Sequence, residues 1–377
     1  MQILFLTTLH PGARRTGSEI TSATFVEGLR SLGHVVRVVA YRRAGSDPPV
    51  ATNDIIVSDR HIETRAAGAR PALWMARALL GRRAYSAAKY VSTTYRRTVE
   101  AELRHRPPAL VVVDHAQLGW LVPAVGWRAP HVYLAHNVEH RLYAQLAAGG
   151  GRRRWANARE ASVIRGTEAA LCRSAREVWT LTAEDADALR ALAPGASMRA
   201  FDLPASHAPA PPVTCTRDIA LLGTWSWDAN AAGLRWLVDR VSPFLPAGLS
   251  VDVGGAGADE IVAGAEPIRA CGRVPDAMEF LQSACVVAVP AVAGAGVQVK
   301  TLDAIASGRA VVATPTALRG IADQPPTVRI EQDAQRFAAA LGDAASVGPD
   351  AAVSRAAHEW VRARRRRFDE QLADVLG

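Results

Sequence analysis

The sequence predicts an α/β protein made of two doubly wound domains with parallel sheets. Residues 285–314 read as a short buried strand, a glycine-bearing loop, a helix and a second buried strand, and this order fits a right-handed crossover in a parallel sheet. Residues 2–40 repeat the order of strand, helix and strand. The chain has 377 residues, 49% of them apolar, which favours two domains of about 150 to 200 residues each over a single core.

The most informative segment is the one at residues 285–314, whose two strands are predicted at 285–289 and 310–313. Between them, Val299, Leu302 and Ala306 recur at helical spacing, and Gly308 is expected to end the helix in a left-handed cap. The loop before this helix therefore lies at the carboxyl edge of the sheet, where open α/β sheets bind ligands.

Two charged residues of this helix are candidate ligand-binding groups. Lys300 is one of only two lysines in a chain with 44 basic residues, and it falls in the first turn, where free loop amides and the helix dipole favour a phosphate. Asp303 follows one turn later, where a carboxylate beside a nucleotide usually binds ribose hydroxyls. The alternative is a first-turn charge pair on a solvated helix.

The segment GVQVKTLDAIASGRAVVATP, residues 296–315, resembles the donor-binding segment of the retaining GT-B glycosyltransferases of group 1, the GT4 family. The resemblance implies two Rossmann-like domains that face a cleft, with a C-terminal helix that crosses back to the first domain. It assigns the donor diphosphate to Lys300 and the ribose to Asp303, where the family usually has glutamate. Backbone amides of the donor loop come from Gly296, Val297 and Gln298.

One departure from the family pattern concerns the sugar. Many members carry a glutamate that faces the transferred sugar eight residues before the ribose-binding acid, and this chain has Ala295 there. Recognition of the sugar is therefore expected to come from other residues.

Two further stretches of the second domain resemble the same family. GTWSWDAN, residues 223–230, is similar to the turn that faces the donor diphosphate, which assigns donor binding to Gly223 and Thr224. The family often has basic residues nearby, whereas this chain has Trp225 and Trp227. GRVPD, residues 272–276, is similar to the element whose valine backbone meets the nucleotide base, and this role passes to Val274.

The first domain carries two weaker resemblances. LHPGARRTGSE, residues 9–19, is similar to the glycine loop before the first helix, and Gly17 matches one glycine of the family pair; a plain turn between strand and helix stays open. VYLAHNVEHRLY, residues 132–143, is similar to the family's strand followed by a histidine that faces the reacting sugar. The resemblance thus makes His136 a catalytic candidate together with Lys300, whereas His115 is interpreted as a structural turn residue.

The predicted domains are an acceptor-side domain at residues 1–203, a linker at 204–214, a donor-binding domain at 215–350 and a returning helix at 351–377. The boundary rests on the proline-dense residues 203–214, which cannot form a helix. Other predicted helices, with their caps, are 18–32 with Ser18, 71–80, 87–105, 155–173, and one after Gly223 capped by Asp228 or Asn230.

Composition narrows the class of protein. The four cysteines are scattered without metal-ligand spacing, so neither a disulfide framework nor a metal site is expected. No signal peptide or membrane-spanning run is evident, which favours a cytoplasmic protein. The net charge of +8 and clusters at residues 152–154 and 364–367 allow peripheral contact with an anionic membrane, although solvated helix faces are the favoured explanation. No nucleic-acid partner is expected.

The function implied by the resemblance is retaining transfer of a hexose (class EC 2.4.1.-) from a nucleotide-diphosphate sugar, most simply a UDP-sugar. The acceptor is a hydroxylated saccharide, natural product or lipid-linked glycan, and neither a metal nor another cofactor is expected. The alternatives are a sugar-nucleotide epimerase or a phosphorylase with the same cleft, and a basic protein that binds nucleic acid or a membrane surface. The sequence does not define the base, the sugar or the acceptor.

Overall fold

The computed structural model describes residues 1–47, 49–62, 67–125, 129–151, 153–209 and 213–376. The chain forms two compact units. Unit 1 contains Met1–Phe201 and the last residues from Leu372, and unit 2 contains Asp202–Gln371.

Unit 1 is built on a parallel sheet of seven strands in the order β3-β2-β1-β4-β5-β6-β7. In chain order, the strands are β1 Gln2–Leu9, β2 Val35–Arg43, β3 Ile55–Arg60, β4 Leu110–Asp114, β5 His131–Ala135, β6 Glu177–Thr180 and β7 Met198–Ala200. In the register of the central strands, Phe5 pairs with Val112 and Val113 pairs with Tyr133. The strand order reverses between β1 and β4, which makes this pair the topological switch point of the unit.

The helices of unit 1 are α1 Gly17–Ser31, α2 Arg70–Leu80, α3 Tyr85–Ala88, α4 Thr93–His105, α5 Leu121–Val125, α6 Glu139–Ala148, α7 Arg154–Ser174 and α8 Ala183–Arg190. The predicted cap of α1, Ser18, is wrong. The cap is Thr16, which has extended backbone and accepts a hydrogen bond from the Glu19 amide at 3.3 Å. Ser18 already lies inside the helix.

The single helix predicted at residues 87–105 is also wrong, because the chain breaks into α3 and α4. Ser92 is extended (φ −154°) and its Oγ accepts a hydrogen bond from the Tyr95 amide at 3.3 Å. A side chain that caps a new helix cannot continue the old one. The helical periodicity therefore predicted both helices correctly, but it could not show the break between them at residues 89–92.

Unit 2 repeats the architecture with a six-stranded parallel sheet in the order β10-β9-β8-β11-β12-β13. The strands are β8 Arg217–Leu222, β9 Val251–Gly254, β10 Ile268–Gly272, β11 Ala284–Val289, β12 Ala310–Ala313 and β13 Val328–Ile330. The helices are α9 Asp228–Trp236, α10 Asp259–Val262, α11 Ala277–Gln282, α12 Val299–Ala306, α13 Ala334–Val347 and α14 Ala351–Leu376. Here the order reverses between β8 and β11.

The predicted cap of α9 is wrong as well. Trp227 occupies the cap position without a side-chain hydrogen bond, and Asp228 is the first helical residue. Asn230 does not cap the helix either. Its amide is used in a contact with the neighbouring loop, described below.

The contacts divide the chain between Phe201 and Asp202, whereas the predicted boundary follows residue 203. The described part of the predicted linker belongs to unit 2, and Leu203 is buried there. Residues 210–212 of the linker lie outside the described residues. Helix α14 lies in unit 2 as far as Gln371, and its last turns group with unit 1, where Asp374 pairs with Arg199 at 2.7 Å.

Candidate functional site

The switch point of unit 2 is occupied by the loop between β11 and α12. Gly294 (φ 133°) and Gly296 (φ 69°) both lie in the left-handed region, which side chains disfavour. A Cβ on Gly294 would come within 2.8 Å of Gln298 Nε2. The glycines thus let the loop fold tightly back to the first turn of α12. The strand, loop, helix and strand predicted for residues 285–314 are all present, and Gly308 (φ 72°) follows the end of α12 as expected.

The Lys300 ammonium is held at this edge of the sheet by the side-chain amide of Asn230 and not by a carboxylate. Its Nζ donates a hydrogen bond to Asn230 Oδ1 at 2.8 Å, and Asn230 Nδ2 donates to the carbonyl of Thr224 at 3.0 Å. In the described part of the chain, no carboxylate lies within ion-pair distance of Nζ. Burial lowers the pKa of the Lys300 ammonium to about 8. An unpaired, partly desolvated cation of this kind is suited to an anionic ligand.

Asn230 joins two predicted site segments that are far apart in sequence. Through it, the turn after β8, which holds Gly223 and Thr224, is connected to the start of α12, which holds Lys300. The sequence offered no signal for this role, because Asn230 was interpreted as a helix cap.

The turn after β8 approaches the next loop very closely. The Gly223 amide donates to the carbonyl of Gly254 at 3.2 Å, and a Cβ on Gly255 would lie 1.8 Å from the Gly223 oxygen. Only glycine can therefore occupy position 255. Val274, the predicted contact of the base, is half-buried after β10 and lies near Gly254, where an added Cβ would be 3.0 Å from its Cγ1.

The two tryptophans that replace basic residues of the family have different environments. Trp225 is 3% exposed, and its Nε1 donates to the carbonyl of Gly254 at 2.9 Å. This hydrogen bond connects the turn after β8 to the end of β9. Trp227 is 47% exposed and remains accessible to a ligand.

Asp303, predicted to bind ribose, has partners within unit 2. Its two oxygens accept hydrogen bonds from the Ser206 amide at 2.9 Å and from Ser206 Oγ at 3.0 Å, and His207 Nδ1 lies 3.5 Å away. The carboxylate therefore holds the linker. A ribose would have to share or replace the Ser206 contacts, and the ribose role stays a prediction.

The switch point of unit 1 carries a buried network around His136. Its Nε2 lies 2.6 Å from Asp114 Oδ1, and Ser22 Oγ donates to Asp114 Oδ2 at 2.6 Å. Burial raises the pKa of Asp114, but the adjacent His115 and His136 and the hydrogen bonds from His136 and Ser22 outweigh it, so the pKa falls to about 2. Since the carboxylate is ionised, Nε2 of His136 donates to Oδ1, and in the tautomer with the proton on Nε2 the ring presents Nδ1 as an acceptor.

Nδ1 of His136 is buried and has no hydrogen-bond partner in the described part of the chain. A buried polar atom without a partner is costly unless a ligand or water completes it. The geometry is consistent with a histidine that accepts a hydrogen bond from a ligand hydroxyl.

His115 stands beside this pair in a strained conformation. Its φ of 77° is unusual for a residue with a Cβ and costs about 1–3 kcal/mol. Its ring centre is 4.0 Å from that of His136, and burial lowers its pKa to about 4. The ligand atoms of Asp114, His115 and His136 lie within 4.8 Å of one another, close enough to hold a metal ion. Sequence reasoning interpreted His115 as a turn residue and missed this cluster.

Helix α7 positions the segment that follows His136. The Glu168 carboxylate accepts hydrogen bonds from the amides of Glu139 at 2.7 Å and His140 at 3.1 Å, and it caps the start of α6. Burial and the nearby Glu168 raise the pKa of Glu139 to about 7. On the same helix, Glu160 accepts from the amides of Tyr85 and Ser86. Helix α7 therefore acts as a scaffold.

Gly17 is exposed as the first residue of α1, and its carbonyl accepts a hydrogen bond from Thr21 Oγ1 at 2.9 Å. It belongs to unit 1 with His136, whereas the other predicted site residues belong to unit 2.

Most of the basic cluster at residues 364–367 is engaged within unit 2. Arg364 is 1% exposed and donates to the carbonyl of Leu203 at 2.8 Å. Arg367 pairs with Asp202 at 2.9 Å and Asp323 at 2.5 Å. The interpretation of this cluster as a solvated face is therefore wrong for Arg364, whereas the Arg367 side chain is 38% exposed. Of the other cluster, Arg152 lies outside the described residues, and Arg154 stacks on the exposed Trp155 ring.

These features can now be compared with known proteins. The family model described as "Glycosyl transferases group 1" matches residues 216–346, which is most of unit 2. This region is similar to the group 1 glycosyltransferases. The match includes the turn after β8, Asn230, Lys300 and Asp303, so the predicted resemblance to group 1 is confirmed for this region. No curated protein sequence matches the chain significantly.

Solved glycosyltransferase structures match the whole chain at low identity. The sucrose-phosphate synthase of Thermosynechococcus elongatus has a TM-score of 0.69 at 14% identity, with 100% of this chain and 97% of that chain covered. HepE from Anabaena, in complex with UDP-glucose, has a TM-score of 0.63 at 12% identity over 100% and 99% of the two chains. WaaG, involved in lipopolysaccharide biosynthesis, has a TM-score of 0.59 at 17% identity over 97% and 95%. The chain has the predicted GT-B fold.

Among the described helices of the chain, none combines the length and the apolar character needed to cross a membrane.

Proposed function

We propose that the protein is a retaining hexosyltransferase that moves a sugar from a UDP-sugar to a hydroxylated acceptor. The observation that carries the proposal is the unpaired Lys300, fixed by Asn230 beside the glycine loop at the switch point of a group 1 glycosyltransferase domain. HepE, a structural neighbour, is described in complexes with UDP and with UDP-glucose, which supports a nucleotide-sugar donor and favours uracil as the base.

In this mechanism, the groups at the start of α12 stabilise the leaving diphosphate. Negative charge develops on the diphosphate as the anomeric C–O bond breaks, and Lys300, the amides of Gly296, Val297 and Gln298, and the helix dipole are arranged to meet it. The hydrogen bond from Nζ to Asn230 fixes the ammonium before the donor binds. Asp303 and Val274 contact the ribose and the base, and Gly223 and Thr224 lie opposite Lys300 along the diphosphate.

Retention of configuration is proposed to follow front-face transfer, in which the leaving phosphate accepts the proton of the acceptor hydroxyl. His136 acts from unit 1 by accepting a hydrogen bond from a sugar hydroxyl at Nδ1. Asp114 is a positioning residue that holds the His136 tautomer. Gly17 allows the backbone of the loop before α1 to approach the substrate.

The reaction is proposed to proceed without a metal. The Asp-x-Asp spacing of this sequence, Asp185-Ala186-Asp187, lies within α8. Side chains at positions i and i+2 of a helix do not face each other, and Asp187 is paired with Arg190. This pair is therefore a poor metal ligand set. In the cluster of Asp114, His115 and His136, each Asp114 oxygen already has a hydrogen-bond partner, so a metal there would displace the contact with Ser22 or His136.

The decisive experiment compares nucleotide binding and transfer in the wild-type protein and in Lys300→Ala. Calorimetric titrations with UDP, GDP, ADP and TDP identify the base, and the anomeric configuration of the product is read by NMR. We expect Lys300→Ala to fold but to lose turnover by about 100-fold or more, because a preorganised group at a developing charge contributes on that scale.

The matched control is Arg336→Ala, which removes a positive charge from an exposed position of α13 in the same unit. It should retain the affinity for UDP and the turnover of the wild type. The phosphate assignment fails if Lys300→Ala turns over the donor like the wild type. An inverted product would refute retention alone.

A further inference from the structure

Unit 1 contains a cavity of about 560 Å³ that none of the roles above uses. It lies between the end of β3, the C-terminal end of α2 and the start of α4. Its lining includes the residues Arg60, Arg77, Arg83, Leu80, Ser92 and Thr93.

The three arginines bring positive charge into this cavity without acidic partners. Within the described part of the chain, no carboxylate lies at ion-pair distance from Arg60, Arg77 or Arg83. Glu160, a buried acid on α7, already accepts hydrogen bonds from the amides of Tyr85 and Ser86. The cavity therefore carries an uncompensated charge.

Arg60 is fixed at the inner wall. Its Nη1 donates to the carbonyl of Lys89 at 3.1 Å, and its guanidinium lies 4.4 Å from the centre of the Tyr41 ring. Arg83 folds back against Gly81, where an added Cβ would lie 3.5 Å from its Nη1. The position of the Arg60 guanidinium is thus set by the protein before a ligand arrives, which reduces the entropy lost on binding, whereas the side chains of Arg77 and Arg83 are exposed.

The floor of the cavity adds neutral donors and the positive end of a dipole. Ser92 and Thr93 bring hydroxyl groups to the start of α4, a helix of 13 residues. A helix of this length favours an anion at its first turn. Guanidinium groups, hydroxyls and a helix start together match the several oxygens of a phosphate better than the two oxygens of a carboxylate.

The rim of the cavity is apolar on one side. Leu80 lines the cavity and is 88% exposed, and Leu73, seven positions earlier on the same face of α2, is 50% exposed. Two large apolar side chains left in solvent beside the arginines indicate contact with another apolar surface.

We propose that this cavity binds the phosphate group of an amphiphilic molecule, with the arginines on the phosphate and the apolar rim of α2 on the hydrocarbon part. The phosphate can belong to a lipid headgroup in a bilayer or to a soluble phosphate ester. The ligand class matches a lipid-linked acceptor, and this last link alone rests on the proposed glycosyl transfer. Phosphate binding does not, because it is measured on unit 1 residues without a donor.

The test uses the full chain with three probes: inorganic phosphate, hexyl phosphate, and vesicles of phosphatidylcholine with or without phosphatidic acid. Calorimetry measures the soluble probes and sedimentation measures the vesicles. The variant is Arg77→Gln with Arg83→Gln. Its control is Arg70→Gln with Arg82→Gln, which removes the same charge from exposed positions of α2 and its C-terminal turn that do not line the cavity.

We expect hexyl phosphate to bind more tightly than inorganic phosphate, and the cavity variant to weaken both by about tenfold or more, since two charge-assisted contacts are lost. The control should change neither by more than about twofold. A lipid source is supported if vesicles with phosphatidic acid sediment the wild type and the control but not the cavity variant. A soluble ester is supported if only hexyl phosphate shows this dependence.

The proposal is overturned if the cavity variant binds all three probes like the control. Equal affinity for inorganic and hexyl phosphate would refute the amphiphile and leave a simple phosphate site. UDP binding is measured on the same samples, and because it depends on unit 2, its presence or absence separates the failure of this proposal from the failure of the proposed transfer.

Discussion

The two units share a strand order up to their sixth strand, yet their switch points carry opposite chemistry. In unit 2, the edge presents Lys300, a single cation with an amide partner and a glycine loop before it. In unit 1, the corresponding edge presents Asp114 and His136, a buried anion that fixes a histidine. The same topology therefore supplies a place for a ligand, and the residues after the strands decide which kind of group is bound there.

The difference extends to solvation. Burial lowers the pKa of Lys300 to about 8, so the ammonium is still largely charged at pH 7 but loses its charge just above it. The Asp114 carboxylate, although buried, is kept ionised by its neighbours with a pKa of about 2. Unit 2 thus has a cation that lacks an anion, whereas unit 1 has an anion whose partners are already present. This comparison predicts that a ligand phosphate completes the site in unit 2 and that unit 1 contributes orientation.

Among the changes that test this difference between the units, Asp114→Asn is expected to have the largest effect on turnover. The change removes the charge that holds the His136 tautomer but keeps the side-chain shape, so we expect turnover to fall by about 10- to 100-fold. The affinity for UDP should not change, because unit 2 holds it. The measurement is kcat and KM over a range of pH together with calorimetric UDP binding.

The control for this change is Asp187→Asn, which makes the same substitution at an exposed position of α8. A positioning role predicts a changed pH profile of kcat with an unchanged KM for the donor. If Asp114→Asn merely lowers the midpoint of thermal unfolding and leaves turnover and its pH profile intact, the network is structural and the contrast between the units is lost.

A large part of unit 2 could be predicted from sequence because its signals are local. The strand at residues 310–313 and the cap at Gly308 follow from a short apolar run and a glycine, and the structure places both there. In unit 1, the break before α4 and the cap of α1 also left local signals in the sequence. Thr16 and Glu19 have the spacing of a capping box, and Ser92 precedes its helix like a cap.

The partners of the site residues left no such signal. Asn230 is 70 positions from Lys300, Ser206 is 97 from Asp303, and Ser22 is 92 from Asp114. A periodic pattern reports which face of an element is buried, but not which polar group a distant loop brings against it. For this reason the family resemblance could predict roles for Lys300 and His136, while the groups that fix these side chains appeared only in the structure.

The contrast is sharpened by the pH dependence of UDP binding. With a pKa of about 8, the free protein holds Lys300 largely protonated at pH 7 and largely neutral at pH 9. Because the diphosphate binds the protonated form, its affinity should fall by about tenfold over this range. Calorimetric titration of the wild type and of Lys300→Arg measures this effect. Arginine stays charged throughout, so the variant should bind with little dependence on pH. A wild-type affinity that does not change between pH 7 and pH 9 would remove Lys300 from the phosphate site.

The smallest effect concerns Ser206, whose amide and hydroxyl hold Asp303. Ser206→Ala removes the hydroxyl contact and leaves the amide contact, so we expect the free energy of unfolding to fall by about 1 kcal/mol. If ribose competes with Ser206 for the carboxylate, the same change frees one oxygen of Asp303 and UDP should bind with equal or slightly higher affinity.

Chemical denaturation and UDP titration of Ser206→Ala, compared with Ser250→Ala, measure both quantities, because Ser250 makes a similar pair of contacts with the half-buried Asp218. A clear loss of UDP affinity in Ser206→Ala alone would mean that the linker must keep Asp303 in place for the nucleotide, and that the carboxylate in unit 2 is fixed by its neighbours in the same way as Asp114 in unit 1.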